Sequence, residues 1–176
     1  FAGLSALESP AKMGFLLTVP VPPEIDPHAA TVVLDRLQDA GNVGAILRSA
    51  SAFGFKQIVA IKGTAGLWSP KVLRAGMGAH FGLDLMESAS LEDLQVLQVP
   101  LLGTDVHEGP FLHELVQQGK LPPTCAWVMG HEGQGVSPEL MAMVVQKVRI
   151  AQPGGEESLN VATAAAICLH ASATSK

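Results

Sequence analysis

Short apolar runs suited to buried strands alternate with helix-patterned segments along nearly the whole chain, and that alternation limits the possible folds more than any other feature. Segments 31–34, 57–61, 83–86, 100–104, 125–129 and 148–150 read as strands. Segments 43–53, 70–80, 91–97, 111–118, 138–145 and 159–170 read as helices, the first with Val43, Ile46, Leu47, Ala50 and Phe53 at spacings of three and four. Parallel neighbours need a crossover, and crossovers cover both faces of a sheet. The expected class is therefore α/β, a parallel sheet with helices on both faces. Ligands of such sheets lie beyond the carboxyl ends of the strands, which singles out loops 35–42, 103–110 and 130–137.

Composition narrows the reading further. The 176 residues are 48% hydrophobic, enough for one well-filled core. No apolar run approaches the roughly 20 residues that span a bilayer, so a soluble, non-membrane protein is expected. Cys125 and Cys168 sit in apolar segments with no second Cys or His at ligand spacing, so neither a disulfide framework nor a metal site is expected, and a reducing cytoplasm fits. A formal charge of −5 argues against a nonspecific polyanion binder. Residues 1–28, with a Pro-rich stretch at 19–27, lack the pattern of a signal peptide and read as a linker ahead of a domain over 29–176.

Three constellations carry chemistry. The first follows the first strand: Asn42 is placed to cap the coming helix, Gly44 lets another segment approach its first turn, and Arg48 sits beside apolar Leu47, where a covered guanidinium would need a partner. The second is Gly-His-Glu-Gly-Gln-Gly at 130–135, closing a buried strand before Ser137 and Pro138 open a helix. Its glycine spacing is not the dinucleotide fingerprint and it lacks the lysine of a P-loop, which weakens an oxidoreductase reading. His131 reads as a bystander there. The third is Ser158-Leu-Asn160 at the start of an alanine-rich helix, where free N–H groups cluster and little side-chain bulk keeps other backbone away. Each has an ordinary reading as a cap, a turn or a solvated charge.

Taken together, Asn42 with Arg48, Gly130-x-Glu132-Gly-x-Gly and Ser158-Leu-Asn160-Val resemble the three signature motifs of the SpoU (TrmH) family of RNA ribose 2′-O-methyltransferases, in order, spacing and placement against predicted strands. The resemblance runs from about residue 30 to the C-terminus. It implies the SPOUT fold, with the C-terminal segment threaded into a deep trefoil knot. It also implies S-adenosylmethionine as methyl donor, with Gly130, Ile150 and Leu159 contacting it and Thr104 lining the same pocket. Arg48, Asn42, Glu132, Ser158 and Asn160 match the family's catalytic polar set. A homodimer is implied as well, completing the site near its interface. An apolar stripe of Val161, Ala165 and Leu169 could serve that contact or belong to the core. The substrate implied is structured RNA, ribosomal favoured over transfer RNA, and the lead resembles the linker that follows an N-terminal RNA-binding domain in relatives. The competing expectation is a noncatalytic RNA-binding or assembly module on the same fold.

A ribose hydroxyl ionises about five to six pKa units above neutral, about 7–8 kcal/mol. One donor to a developing oxyanion contributes roughly 3–4 kcal/mol, so Arg48 needs at least one helper. A guanidinium keeps its proton, which suits Arg48 to clamping phosphate and stabilising the alkoxide rather than to acting as base.

Overall fold

The computed structural model describes residues 15–154 and 158–175. Strands β1 (Thr31–Leu34), β2 (Gln57–Ile61), β3 (Asp84–Ala89), β4 (Leu101–Thr104), β5 (Ala126–Met129) and β6 (Gln146–Val148) form one parallel sheet ordered β3-β2-β1-β5-β4-β6. Helices α1 (Ala40–Ala52), α2 (Pro70–Gly76), α3 (Leu112–Gln117), α4 (Pro138–Met141) and α5 (Val161–Thr174) make the crossovers and the C-terminal cover. The expected parallel α/β architecture is the one observed.

Alternate residues of each strand feed two cores. Val32, Leu34, Ile58, Ala60, Trp127 and Met129 meet Ile46 and Leu47 of α1 and Ala165 and Leu169 of α5 on one face. Val33, Val59, Ala126 and Val128 meet Leu94 and Leu140 on the other. Burial on both sides explains why these strands are unbroken apolar runs rather than alternating ones.

The strand order reverses between β1 and β5, the point at whose carboxyl edge open α/β sheets bind their ligands. Leu34 pairs with Met129, so the residues that leave these two strands, Asp35 and Gly130, emerge side by side. Two pairs further along, Thr104 of β4 is matched with Val148 of β6. The three loops singled out from sequence thus leave the same edge.

Several elements are shorter than their patterns suggest. The helix expected over 70–80 stops at Gly76, with Met77 left-handed at φ 49° and a 3-10 turn over Ala79–Gly82. Segment 91–97 holds only a 3-10 turn, Asp93–Val96. Asp93 folds back there to accept from the Ser90 N–H (2.8 Å) and hydroxyl (2.9 Å), and so short a segment does not nucleate an α-helix. Helix α4 is cut to four residues because the chain must join the sheet. The Val145 N–H already donates to the Leu101 carbonyl at 2.9 Å, so β6 begins two residues before the predicted position.

Close approaches fix the packing around α1 and α5. A Cβ at Gly44 would stand 2.3 Å from Ala75 Cβ and 2.7 Å from the Ala75 carbonyl carbon, so α1 and α2 cross at a distance only glycine allows. On α5, Ala165 and Leu169 are fully buried and Val161 packs against the same cluster. That stripe is core, so it is not the surface for a second copy. Deeper still, Ser172 accepts from the Trp127 indole N–H at 2.9 Å. Cys125 and Cys168 are free and buried; burial pushes the Cys125 thiol up to about 11, and Cys168 higher still. Among the described residues no helix is long and apolar enough to cross a membrane.

Candidate active site

Helix α1 starts three residues earlier than its apolar periodicity indicates, and this changes the part played by Asn42. The N-cap is Asp39, whose carboxylate accepts from the Asn42 N–H at 2.7 Å. Asn42 is therefore not the cap. Sitting in the first turn, it has its amide group free for longer-range bonds.

Those bonds join all three motifs. Asn160, the N-cap of α5, accepts through Oδ1 from the N–H groups of Ala162 (2.9 Å) and Thr163 (3.2 Å). Because its oxygen is committed, its Nδ2 must be the outward group, and it donates to Asn42 Oδ1 at 2.9 Å. Asn42 is then obliged to present its own Nδ2 on the other side, where it donates to Glu132 Oε1 at 3.2 Å. Glu132 completes the chain by accepting from the N–H of Asp39 (3.0 Å) and of Gln38 (3.2 Å). The direction of the two amide side-chain bonds follows from the cap of α5.

Electrostatics agree with that direction. Partial desolvation raises the Glu132 pKa, but hydrogen bonds from its own N–H, those of Asp39 and Gln38, and the Asn42 amide outweigh it, leaving the carboxyl below the ordinary glutamate range. Glu132 is thus an anion at neutral pH, seated just ahead of the first turn of α1, where the helix dipole favours negative charge. It is a fastening for two loops rather than a store of protons.

The loop that carries Glu132 is a closed hairpin. His131 and Gly135 exchange backbone bonds of 2.9 and 2.8 Å, and His131 Nδ1 accepts from the Gly133 N–H at 3.0 Å. The loop returns so closely on the end of β5 that a Cβ at Gly130 would lie 2.2 Å from the Val136 nitrogen. Gly130 is therefore required by the protein's own backbone. Ser137 is the N-cap of α4 with Pro138 at its first position, as the sequence indicated, but its hydroxyl makes no capping bond.

Arg48 lies on the exposed side of α1, contrary to the expectation of a covered guanidinium. Among the described residues it has no hydrogen bond or ion pair. Six residues separate it from Asn42, which displaces it about 9 Å along the axis and about 120° around it. Ser158 is exposed, two residues before the α5 cap, and the described hydrogen bonds do not include its hydroxyl. Asn42, Glu132 and Asn160 are thus brought together, whereas Arg48 and Ser158 stand outside the bonded chain.

The four residues expected at a cofactor surround the same strand ends. Gly130 is buried beyond β5, Thr104 half-buried at the end of β4, and Leu159 half-buried before α5. Ile150 follows β6 instead of ending it, and lines an apolar groove of about 800 Å³ between α3 and α5 with Leu112, Val116 and Ile167. The loop after Thr104 is held to β6: Lys147 Nζ lies 2.6 Å from Glu108 Oε2 and 3.5 Å from Asp105 Oδ2. Arg149 donates to the Gly109 carbonyl at 2.6 Å and stacks 4.1 Å above the Phe111 ring. Two residues absent from the motif reading, Asp35 and Arg36, also bind the Glu132 hairpin. Their signal was a charged pair closing an apolar strand. Among the described residues no group of His, Cys, Asp and Glu could hold a metal ion.

An open parallel sheet with polar loops tied together at its reversal point is the framework of an α/β enzyme domain that binds small ligands at its strand ends. The SpoU rRNA Methylase family matches residues 29–170, and the chain belongs to that family. It is 28% identical over 173 residues to the Bacillus subtilis 23S rRNA (guanosine(2553)-2'-O)-methyltransferase RlmP, covering 97% of this chain and 68% of that protein. Against the Bordetella pertussis 23S rRNA (guanosine-2'-O-)-methyltransferase RlmB it is 34% identical over 152 residues, 84% of this chain and 60% of that one. Its fold matches the SpoU methyltransferase AviRb from Streptomyces viridochromogenes in complex with AdoMet, at TM-score 0.74 and 25% identity, over 85% of this chain and 61% of AviRb. The chain thus spans about two thirds of the length of these relatives.

Proposed function

We propose that this chain is the catalytic domain of an S-adenosylmethionine-dependent RNA ribose 2′-O-methyltransferase acting in the cytoplasm on ribosomal RNA. The observation that carries the reading is the directed run of hydrogen bonds from Asn160 through Asn42 to Glu132. It ties together motifs 118 and 90 residues apart that have no reason to meet unless they build one site. Relatives named as 23S rRNA guanosine methyltransferases support the substrate class. The AviRb complex supports the methyl donor.

The residues present fit such a donor. Gln152 Oε1, on the loop that follows β6, is buried and lacks a partner among the described residues, leaving an acceptor for a ligand's amino group. Thr104, Gly130, Ile150 and Leu159 would wall the cofactor, which supplies the methyl group. Glu132, Asn42 and Asn160 hold the loops in register around the reacting sugar. Arg48 clamps an RNA phosphate and stabilises the developing alkoxide, while the proton leaves through the phosphate or water. Ser158 orients the ligand at the entrance to α5. The exposed Arg48 suits a site completed in a homodimer, and the α3–α5 groove, rather than the Val161 stripe, offers apolar surface to a second copy. The knotted C-terminus and the linker role of residues 1–28 remain part of this reading; residues 1–14 and 155–157 lie outside the described residues.

Calorimetry with S-adenosylmethionine, followed by transfer of a labelled methyl group to ribosomal RNA, tests the assignment. Binding and transfer are expected, and Arg48→Lys, which loses the two-pronged grip, should lower turnover at least about tenfold. Binding without transfer to any RNA would favour the noncatalytic module.

A further inference from the structure

We propose that Arg36, acting with Asp35, is a positioning residue that latches the Glu132 hairpin to the end of β1 and so sets where the three motifs meet. The inference rests on the functional reading above. Asp35 is fully buried, an uncommon place for a carboxylate, and both its oxygens are used. Oδ2 accepts from the Ser137 N–H at 2.6 Å, at the base of the hairpin. Oδ1 accepts from Arg36 Nε at 2.9 Å, and the side chain of Arg36 is about one-third exposed (34%).

The backbone is bent to make this pairing possible. Arg36 adopts φ 58°, a left-handed conformation that residues with a Cβ avoid, and it is one of three described non-glycine residues to do so. The bend is held from the next loop, where Thr64 Oγ1 accepts from the Arg36 N–H at 3.0 Å and donates to the Leu34 carbonyl at 3.0 Å. So placed, the guanidinium turns back onto its neighbour's carboxylate and extends its far arm, Nη1, to Gln134 Oε1 at 3.3 Å. The hairpin is thereby held at its base through Ser137 and at its tip through Gln134. Glu132 lies two residues ahead of Gln134 on the same hairpin, inside the His131–Gly135 closure. A fork suits this geometry because its separate nitrogens, Nε and Nη1, meet Asp35 and Gln134 at the same time in a fixed plane.

Arg36→Gly separates positioning from stability. Glycine is at ease at this φ, which offsets part of what buried Asp35 loses with its guanidinium partner, so the thermal midpoint should fall while the protein stays folded at the assay temperature. Exchange of the Gln38, Asp39 and Ser137 amide hydrogens should quicken, and kcat should fall at least about tenfold with the KM for S-adenosylmethionine little changed. Arg36→Lys, which keeps the charge and loses the fork, should restore part of kcat. Unchanged exchange at those three amides overturns the latch whatever the activity. Quickened exchange with undiminished kcat overturns the positioning role, as does a loss of kcat fully accounted for by the fraction unfolded at the assay temperature. If the parent chain neither binds S-adenosylmethionine nor transfers methyl groups, the functional reading fails while amide exchange still decides the latch.

Discussion

Glu132→Gln isolates the charge at the head of the bonded chain with almost no change of shape. All three of its described partners outside its own residue are donors: the N–H groups of Gln38 and Asp39 and the Asn42 amide. Glutamine keeps one acceptor oxygen and sets an NH₂ group against the remaining donor. Asn42 cannot turn over to compensate, because Asn160 fixes its orientation from the other side. Bonds to a charged acceptor contribute about 1.5–3 kcal/mol each against about 0.5–1.5 for neutral ones, so three bonds lose about 3 kcal/mol before solvent is considered. The site is exposed, and water recovers a good part of this, leaving about 1–2 kcal/mol. For a domain of this size that lowers the melting temperature by about 3–6 °C.

The pH dependence supplies the decisive check. A carboxyl whose folded pKa lies below its unfolded value, about 4.3, contributes stability fully above that value and loses it as pH falls through the folded pKa. The gap between parent and Glu132→Gln should therefore be widest near neutral pH and close in acid, where protonated Glu132 resembles glutamine. Circular-dichroism melts from pH 7 down to about pH 3 measure it. A gap that is the same at both ends, or a glutamine variant as stable as the parent at pH 7, would refute the reasoning.

Two further substitutions test the frame that holds the site. Gly44→Ala should destabilise by about 1–3 kcal/mol in denaturant titration despite alanine's better helix propensity, because the new methyl meets α2 backbone rather than a flexible side chain. Ser172→Ala removes the acceptor of the buried Trp127 indole and should cost about 1–3 kcal/mol in the same titration; an unchanged midpoint would mean that the bond adds nothing.

How far the sequence spoke depended on the range of the interaction. Strands β1, β2 and β5 were legible to within a residue because burial on both faces leaves an unbroken apolar run. The start of α1 was misplaced because Asp39 and Asn42 are both competent caps, and Ala40 and Gly41 between them carry no apolar signal. Arg48 was read as covered because Leu47 is; yet the next position on a helix lies about 100° away, and Arg48 falls off the stripe made by Val43, Ile46, Leu47 and Ala50. The β6 register depended on where an edge strand first pairs with β4, which is information held by Leu101 and not by residues 146–150. The partnership of Asn42, Glu132 and Asn160 was foreseen only as a shared site. That Asn42 is the middle of the chain, and that Arg36 reaches Gln134 from a left-handed turn, depends on tertiary contacts that no local pattern encodes.

The cap of α5 has a temporal consequence. Asn160 sets the sense of the Asn42 amide, so until residues 158–174 have docked, only the Glu132 carboxylate on the other side biases it. Ala165, Cys168 and Leu169 of the same helix are fully buried against the sheet, so the seating of α5 closes one face of the core as it sets the amide. Fold and site would then mature together, when α5 seats.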